Sequence, residues 1–482
     1  MSASESTWPD WLRSRTAVEL LGPPRLFFAW LTIALSLLVI VYVGAWNAAK
    51  YPIVLGYDAQ PNAAYAHVLL DQHHIPRPDQ SGESNQPPAY YFLAGVAARV
   101  GLHWPFNWRE ARPFTAQLPE ASYRGAQIFN VVLVFLTALC VLWLARTVAP
   151  DRPWVWAASV GFFAFLPVVS KTEAMFHPEN LNMLCSAAAM ASITQMLAQR
   201  RFRWWLVTIL GVSLALGLAT RASAIFTLLA VLLGTAIAAT VPGIRSQVPW
   251  RRLGAVVLAA AILVTPWIAY RAVVRHQGPL NETSRLFNAA LHPRSHQLSD
   301  VLTSHKKFFH VAVVDIFRNP WRSHFKNQAF SQTYVEIWGD WLGNMAWSSY
   351  DPEPSTGARK ILKDQSLVGV LPTTLAIAGW LMLVGMSFRR RELAPLALLP
   401  LIAVGGYFYR SYVSLTHDGD LLKAAYALNS APVWSLGFGI ATAWLAARSL
   451  LLRYGMIALF VAFAILELRF VMYGIRDGVA IF

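Results

Sequence analysis

Residues 125–152 read GAQIFNVVLVFLTALCVLWLARTVAPDR, and this stretch decides the fold class. From Gly125 to Ala145 there is no charged residue, and the run ends on Arg146 and Arg152. An uncharged apolar segment of this length covers a hydrocarbon core of ~30 Å as a helix. Basic residues at its exit mark the cytoplasmic side.

The same pattern recurs along the chain of 482 residues. Hydrophobic residues make up 56% and charged residues 13%, against about a quarter charged in soluble domains, and the mean hydropathy is +0.42. Cys140 and Cys185 both lie inside apolar runs, so they indicate neither a disulfide framework nor a metal site. A net charge of +15 invites a nucleic-acid reading. The positives, however, sit in short clusters between apolar runs, which excludes nucleic acid as a partner and points to membrane topology.

Five connections are arginine-rich: Arg146 with Arg152, Arg200-Arg201 with Arg203, Arg245 with Arg251-Arg252, Arg389-Arg390-Arg391, and Arg448 with Arg453. Only Asp151 and Glu392 oppose them. All five belong in the cytoplasm, so an even number of crossings must separate consecutive clusters. Spans at 26–46, 125–145, 154–170, 180–197, 204–219, 222–240, 253–270, 366–387, 393–411, 431–447 and 452–475 satisfy this. The chain is therefore expected to be an all-α polytopic membrane protein of about eleven helices, with a cytoplasmic N-terminus. The first run is too long for a signal-peptide core and lacks a small-residue cleavage site, so it reads as a retained helix. Residues 88–102, PAYYFLAGVAARVGL, are short and interrupted by Arg99, and counting them as a crossing would put Arg146 outside. They read instead as a helix lying on the outer surface, with a second such stretch at 62–74. The organisation expected is a transmembrane module at 1–270 with its first outer loop at 47–124, an outer cap at 271–365, and C-terminal membrane helices at 366–482.

Polar residues with chemical capacity collect on the outer side. Asp58 follows the first helix in Gly56-Tyr57-Asp58, and Glu83, Gln86 and Tyr90 come later in the same loop. A carboxylate just beyond a helix end can act as a general base between a lipid substrate and one arriving from water. It can equally cap the next helix, since Asp is a favoured N-cap residue. His177 and Glu179 occupy the turn before the span at 180–197. Arg221 stands in a short outer turn, where an isolated cation either snorkels or binds an anion. With Lys423 it can neutralise a phosphate, Arg as a bidentate fork and Lys as a point charge. The histidines show no metal spacing.

Taken in order, these motifs resemble the GT-C superfamily of polyprenyl-phosphate-sugar-dependent membrane glycosyltransferases, of the protein O-mannosyltransferase and aminoarabinose transferase type. The resemblance is carried by Gly56-Tyr57-Asp58, Glu83, Gln86-Pro87-Pro88-Ala89-Tyr90-Tyr91, Tyr123-Arg124, Leu144-Ala145-Arg146, Phe176-His177-Pro178-Glu179-Asn180, Gly217-Leu218-Ala219-Thr220-Arg221 and Thr265-Pro266-Trp267. It covers residues 26–270 and is weaker afterwards, apart from Trp338-Gly339 and Lys423-Ala424-Ala425-Tyr426. Many relatives carry an acidic pair in the first motif, whereas here Asp58 is followed by Ala59-Gln60.

The resemblance implies a GT-C-like fold in the inner membrane. It implies inverting transfer of a hexosyl or pentosyl unit from a polyprenyl-phosphate donor to a glycan, lipid or protein acceptor on the periplasmic face. Asp58 would be the base, and Tyr57, Glu83, Gln86, Tyr90, His177 and Glu179 the substrate contacts. Arg221, Lys423 and Arg124 would hold the donor phosphate. No cofactor is called for, and the missing second carboxylate disfavours a divalent metal. The alternatives are a lipid-linked glycan flippase or transporter, an O-antigen ligase or polymerase, and a non-catalytic assembly subunit. A transporter is expected to carry polar groups near the bilayer midplane, where this sequence is almost uniformly apolar.

Overall fold

In hydrocarbon every backbone N–H and C=O must find its partner within its own segment, so uncharged apolar runs fold as helices. The computed structural model describes residues 24–51, 56, 58–101, 124–201, 203–246, 249–273, 305–339, 356–413, 415 and 422–472, and the structural statements below concern these. Tyr57, Arg109 and the outer-loop residues His417, Asp418 and Asp420 lie outside them, as do 274–304 and 340–355 of the expected cap.

The described chain is all-α. The expected spans coincide with α1 (Pro24–Lys50), α4 (Arg124–Val148), α5 (Pro153–Ala164) followed by α6 (Pro167–Ala174), α7 (Glu179–Gln199), α8 (Trp204–Leu218), α9 (Ala224–Ala238), and, after a short α10 (Pro242–Arg245), α11 (Trp250–Val273). Seven helices of the described chain are long and apolar enough to cross a membrane on their own. The span expected at 154–170 is broken: α5 and α6 meet at a bend of 50°, because Pro167 opens a new helix and cannot donate into the preceding turn.

The arginine clusters meet at one end of the bundle. Arg146 lies over the rings of Trp30 and Trp156, at 5.6 and 5.3 Å. Arg390 donates to the carbonyl of Val148 at 3.3 Å, and the Arg200 guanidinium lies beside Gly243. The two amphipathic stretches of the first loop become α2 (Ala59–Asp71) and α3 (Ala89–Gly101), each of 13 residues. At 1.5 Å per residue each reaches about 20 Å, short of a full crossing. Arg99 joins the pair by an ion pair with Asp71 and a 2.8 Å bond to the Leu70 carbonyl.

Of the expected cap, α12 (Asp315–Arg318), α13 (Ala329–Trp338) and most of α14 (Thr356–Val368) are described. α13 is tied down by Tyr334 Oη to the Ser366 carbonyl at 2.6 Å and by Trp338 Nε1 to Thr373 at 2.8 Å. The C-terminal helices are α15 (Val370–Ser387), α16 (Ala394–Val413), α17 (Ala431–Ala446) and α18 (Leu450–Val471). α15 and α17 cross backbone to backbone: a Cβ on Gly379 would stand 1.7 Å from the Gly437 carbonyl oxygen. Small residues permit such approaches where lipid supplies no hydrophobic drive for helix association.

Candidate active site

The polar residues singled out in the sequence gather at the end of the bundle opposite the arginines. Their placement begins with two unusual backbone positions. Gly56 has φ +100°, and a Cβ there would stand 2.5 Å from the Met175 side chain. Asp58 follows in the left-handed region at φ 54°, where Asp and Asn are the residues most readily accommodated after Gly. Asp58 occupies the N-cap position of α2, but its side chain makes no capping bond. The capping alternative is thereby corrected: the turn aims the carboxylate away from its own helix.

That carboxylate meets Lys423. The ammonium donates to Oδ1 at 3.0 Å and to Oδ2 at 2.9 Å, while the Tyr426 hydroxyl reaches Oδ2 at 3.5 Å. The lysine side chain is 2% exposed and the aspartate 16%, so the pair sits in a crevice with one face open. Burial pushes the Asp58 carboxyl up, but Lys423, with Arg221 behind it, more than offsets this and holds it below its ordinary value. Asp58 is therefore an anion at neutral pH. Burial also pushes the Tyr426 hydroxyl up to about 12, so it stays protonated and donates.

Arg221 anchors the second half of the cluster. Its Nε donates to Glu179 at 3.0 Å and its Nη1 to Glu83 at 3.1 Å, and its guanidinium lies 5.2 Å from the centre of the Tyr426 ring. Snorkelling is excluded, since Arg221 is buried at 4% exposure. The loop carrying Glu83 is positioned by a backbone bond from Ala89 N to Ala219 O at 3.0 Å, which pins the start of α3 to the turn holding Arg221. The other Glu179 oxygen accepts from Asn182 at 2.7 Å.

His177 is fully buried beside these charges. Burial, then the positive field of Arg221, lowers its imidazole to about 3, so the ring is neutral. Its Nδ1 accepts from the Glu179 backbone N–H at 3.3 Å, which assigns the ring proton to Nε2. Among the described residues that Nε2 has no hydrogen-bond partner.

Other expected contacts take different roles. The Tyr90 ring is fully buried and its hydroxyl donates to Asn130 at 3.1 Å, making it part of the scaffold. Gln86 accepts from the Tyr65 hydroxyl through its backbone carbonyl at 3.0 Å. Arg124 donates to the Ala48 carbonyl at 2.5 Å and to the Tyr51 carbonyl at 3.5 Å, closing the end of α1. Lys171, on α6 ahead of the turn that holds His177, is buried with its ammonium 3.7 Å from the Phe470 ring centre. Among the described residues no three His, Cys, Asp or Glu side chains converge as a metal site.

The cluster thus comprises three carboxylates, two cations and a neutral imidazole at one end of the bundle. Such an arrangement can accept a proton and stabilise an anion at neighbouring points.

Residues 113–270 match the family of dolichyl-phosphate-mannose-protein mannosyltransferases. The resemblance drawn from the sequence therefore holds over that stretch, which contains His177, Glu179 and Arg221. No curated protein matches the chain in sequence. Among solved structures it is similar to the oligosaccharyltransferase of Archaeoglobus fulgidus crystallised with Zn and sulfate, at 13% identity over 92% of this chain and 52% of that one, with a TM-score of 0.49. AglB from the same archaeon, in complex with an inhibitory peptide and a dolichol-phosphate, gives 14% identity over 94% and 56% and a TM-score of 0.47. ArnT from Cupriavidus metallidurans, bound to undecaprenyl phosphate, gives 13% over 94% and 74% with a TM-score of 0.40. The chain spans about half the length of the archaeal structures.

Proposed function

We propose that the protein is a membrane glycosyltransferase that moves a sugar from a polyprenyl-phosphate donor to an acceptor hydroxyl. It works at the outer face of the inner membrane, with inversion and with Asp58 as general base. The acceptor is a glycan, lipid or protein. The observation that carries this reading is the Asp58–Lys423 pair, set next to Arg221 within the boundary cluster. The family match over 113–270 supports the donor class.

The chemistry follows from the charges. Asp58 takes the proton of the acceptor hydroxyl as that oxygen bonds to the anomeric carbon. The bond from this carbon to the donor oxygen breaks, and its electron pair leaves on the polyprenyl phosphate. Protonation removes the charge that holds Lys423, just as negative charge grows on the departing phosphate. The lysine then exchanges one anion for another within a short reach, and preorganised cations of this kind stabilise a transition state. Arg221 keeps its guanidinium in place through Glu83 and Glu179 and adds a second positive field. His177 offers its Nε2–H to a sugar or phosphate oxygen. Positioning the two substrates in line supplies the remainder.

Purified protein reconstituted with lipid extract from its own cells tests this. The expected result is loss of one polyprenyl-phosphate sugar with release of the polyprenyl phosphate, followed by mass spectrometry. A lipid pool whose composition is unchanged, or only redistributed between leaflets, refutes the transferase reading.

A further inference from the structure

Lys423 is held from both sides by a helix that belongs to the cap. Gln332 Nε2 donates to the Leu422 carbonyl at 2.9 Å, and Glu336 Oε2 accepts from the Ala424 N–H at 2.6 Å. The two side chains stand four residues apart on α13, so they share one face of that helix, and Gln332 Nε2 also lies 3.3 Å from Glu336 Oε1. Between their two bonds lies the extended backbone of residue 423, at φ −128° and ψ 118°, opening a 3-10 turn over Ala424–Ser430. Gln332 and Glu336 are both fully buried. The charge of Glu336 is matched by Arg322, whose Nε lies 3.2 Å from Oε1 and which is itself 2% exposed.

We propose that Gln332 and Glu336 are positioning residues that fix the backbone on either side of Lys423, so that its ammonium stands at Asp58. The proposal rests on the reading of Asp58 and Lys423 as base and phosphate ligand. A lysine carries its charge on a flexible four-carbon stem, so the backbone at its base determines where the ammonium can go. A bond that an ionised carboxylate accepts from a backbone N–H is shorter and stronger than a neutral one. That accounts for a buried glutamate here, with an arginine brought from the 3-10 helix Arg322–Phe325 to balance it. α13 is in turn anchored to Ser366 and Thr373, so the clamp is referenced to the membrane bundle. The cap thereby becomes part of the site without touching the reacting atoms.

The test compares Glu336→Ala, Gln332→Leu and Lys423→Gln in the full-length protein, each checked for wild-type elution. Two quantities are measured: affinity for undecaprenyl phosphate, used as probe, and the acid limb of turnover against pH. Displacing Lys423 from Asp58 raises the Asp58 pKa, so Glu336→Ala must move the acid limb to higher pH, in the direction of Lys423→Gln. Probe affinity should fall about tenfold, the low end for losing a bond to a charged group. Adding Glu336→Ala to Lys423→Gln should cause no further change in either quantity. A merely structural role would lower thermal stability and leave limb and affinity at wild-type values, and that result overturns the proposal. Gln332→Leu, which removes the bonds of Nε2 to the Leu422 carbonyl and to Glu336 but leaves the glutamate on Ala424, carries the same decision if Glu336→Ala does not fold. If Asp58→Asn retains turnover, the base reading fails, and the affinity arm alone decides the clamp.

Discussion

Asp58→Asn separates chemistry from architecture, and its consequences follow from the geometry. The substitution keeps size and shape, and Asn tolerates the left-handed backbone at φ 54° as Asp does. No helix cap is lost, because the native carboxylate does not cap. What disappears is the anion facing Lys423 at 2.9 and 3.0 Å. Stranding one partner of a buried pair costs about 3–5 kcal/mol. The aspartate is 16% exposed, and Asn keeps one oxygen for the ammonium, so the lower end, about 3 kcal/mol, applies here. Turnover should fall by roughly 10²–10⁴-fold, the contribution of a positioned base, or about 2.7–5.4 kcal/mol in the barrier at 1.36 per decade. Thermal unfolding in detergent and consumption of polyprenyl-phosphate sugar by reconstituted protein measure the two effects. Asp58→Asn combined with Lys423→Met removes the stranded charge, so it should recover most of the lost stability and none of the rate. Transfer by the single variant at a rate comparable to wild type refutes the base assignment and makes Glu83 or Glu179 the next carboxylate to test.

The pH profile gives a second prediction: with the Asp58 carboxyl held low, activity persists into mild acid, and Lys423→Gln moves its acid limb upward because the charge that chiefly opposes burial is then gone. His177 is already neutral, at about 3, so His177→Asn should reduce substrate affinity without displacing either limb. Gly379→Ala should prevent stable assembly of α15 against α17, whereas Gly385→Ala, with nothing within 4 Å of the added carbon, should elute and melt like wild type. For topology, a cysteine at exposed Asp79 should react with an impermeant maleimide on intact cells and one at Arg201 only after permeabilisation; labelling of both from one side overturns the two-ended arrangement.

The helices were legible because bilayer thickness makes length and lack of charge sufficient signals, and the arginine clusters then fixed which ends go together. The α5–α6 break was also present in the sequence, at Pro167, but an uninterrupted apolar run masked it. Asp58, Glu83, Glu179, Arg221 and Lys423 could be selected as polar residues at one boundary. Their pairing could not, because partners separated by 42, 138 and 365 residues leave no periodicity to read. Spacing left a cap at Asp58 open beside the base, and only the backbone angle shows why the side chain turns elsewhere. Arg124 and Tyr90 stood in suitable motifs and proved to satisfy a helix end and an asparagine. Gln332 and Glu336 were missed although their i, i+4 spacing was visible, since nothing marked 329–338 as a helix with a buried face.

The Asp58–Lys423 pair closes across 365 residues, and this has a consequence for biosynthesis. At 5–20 residues per second, Asp58 emerges roughly 20–70 s before the lysine that neutralises it. During that interval the helices from α2 to α16 are made in turn, and Asp58 lacks the ammonium that faces it in the folded chain. The pair therefore closes only once the segment after α16 has arrived, among the last steps of assembly. Chains stalled before α16 should thus carry Asp58 without its cation, a state that a membrane quality-control protease could distinguish from the finished protein.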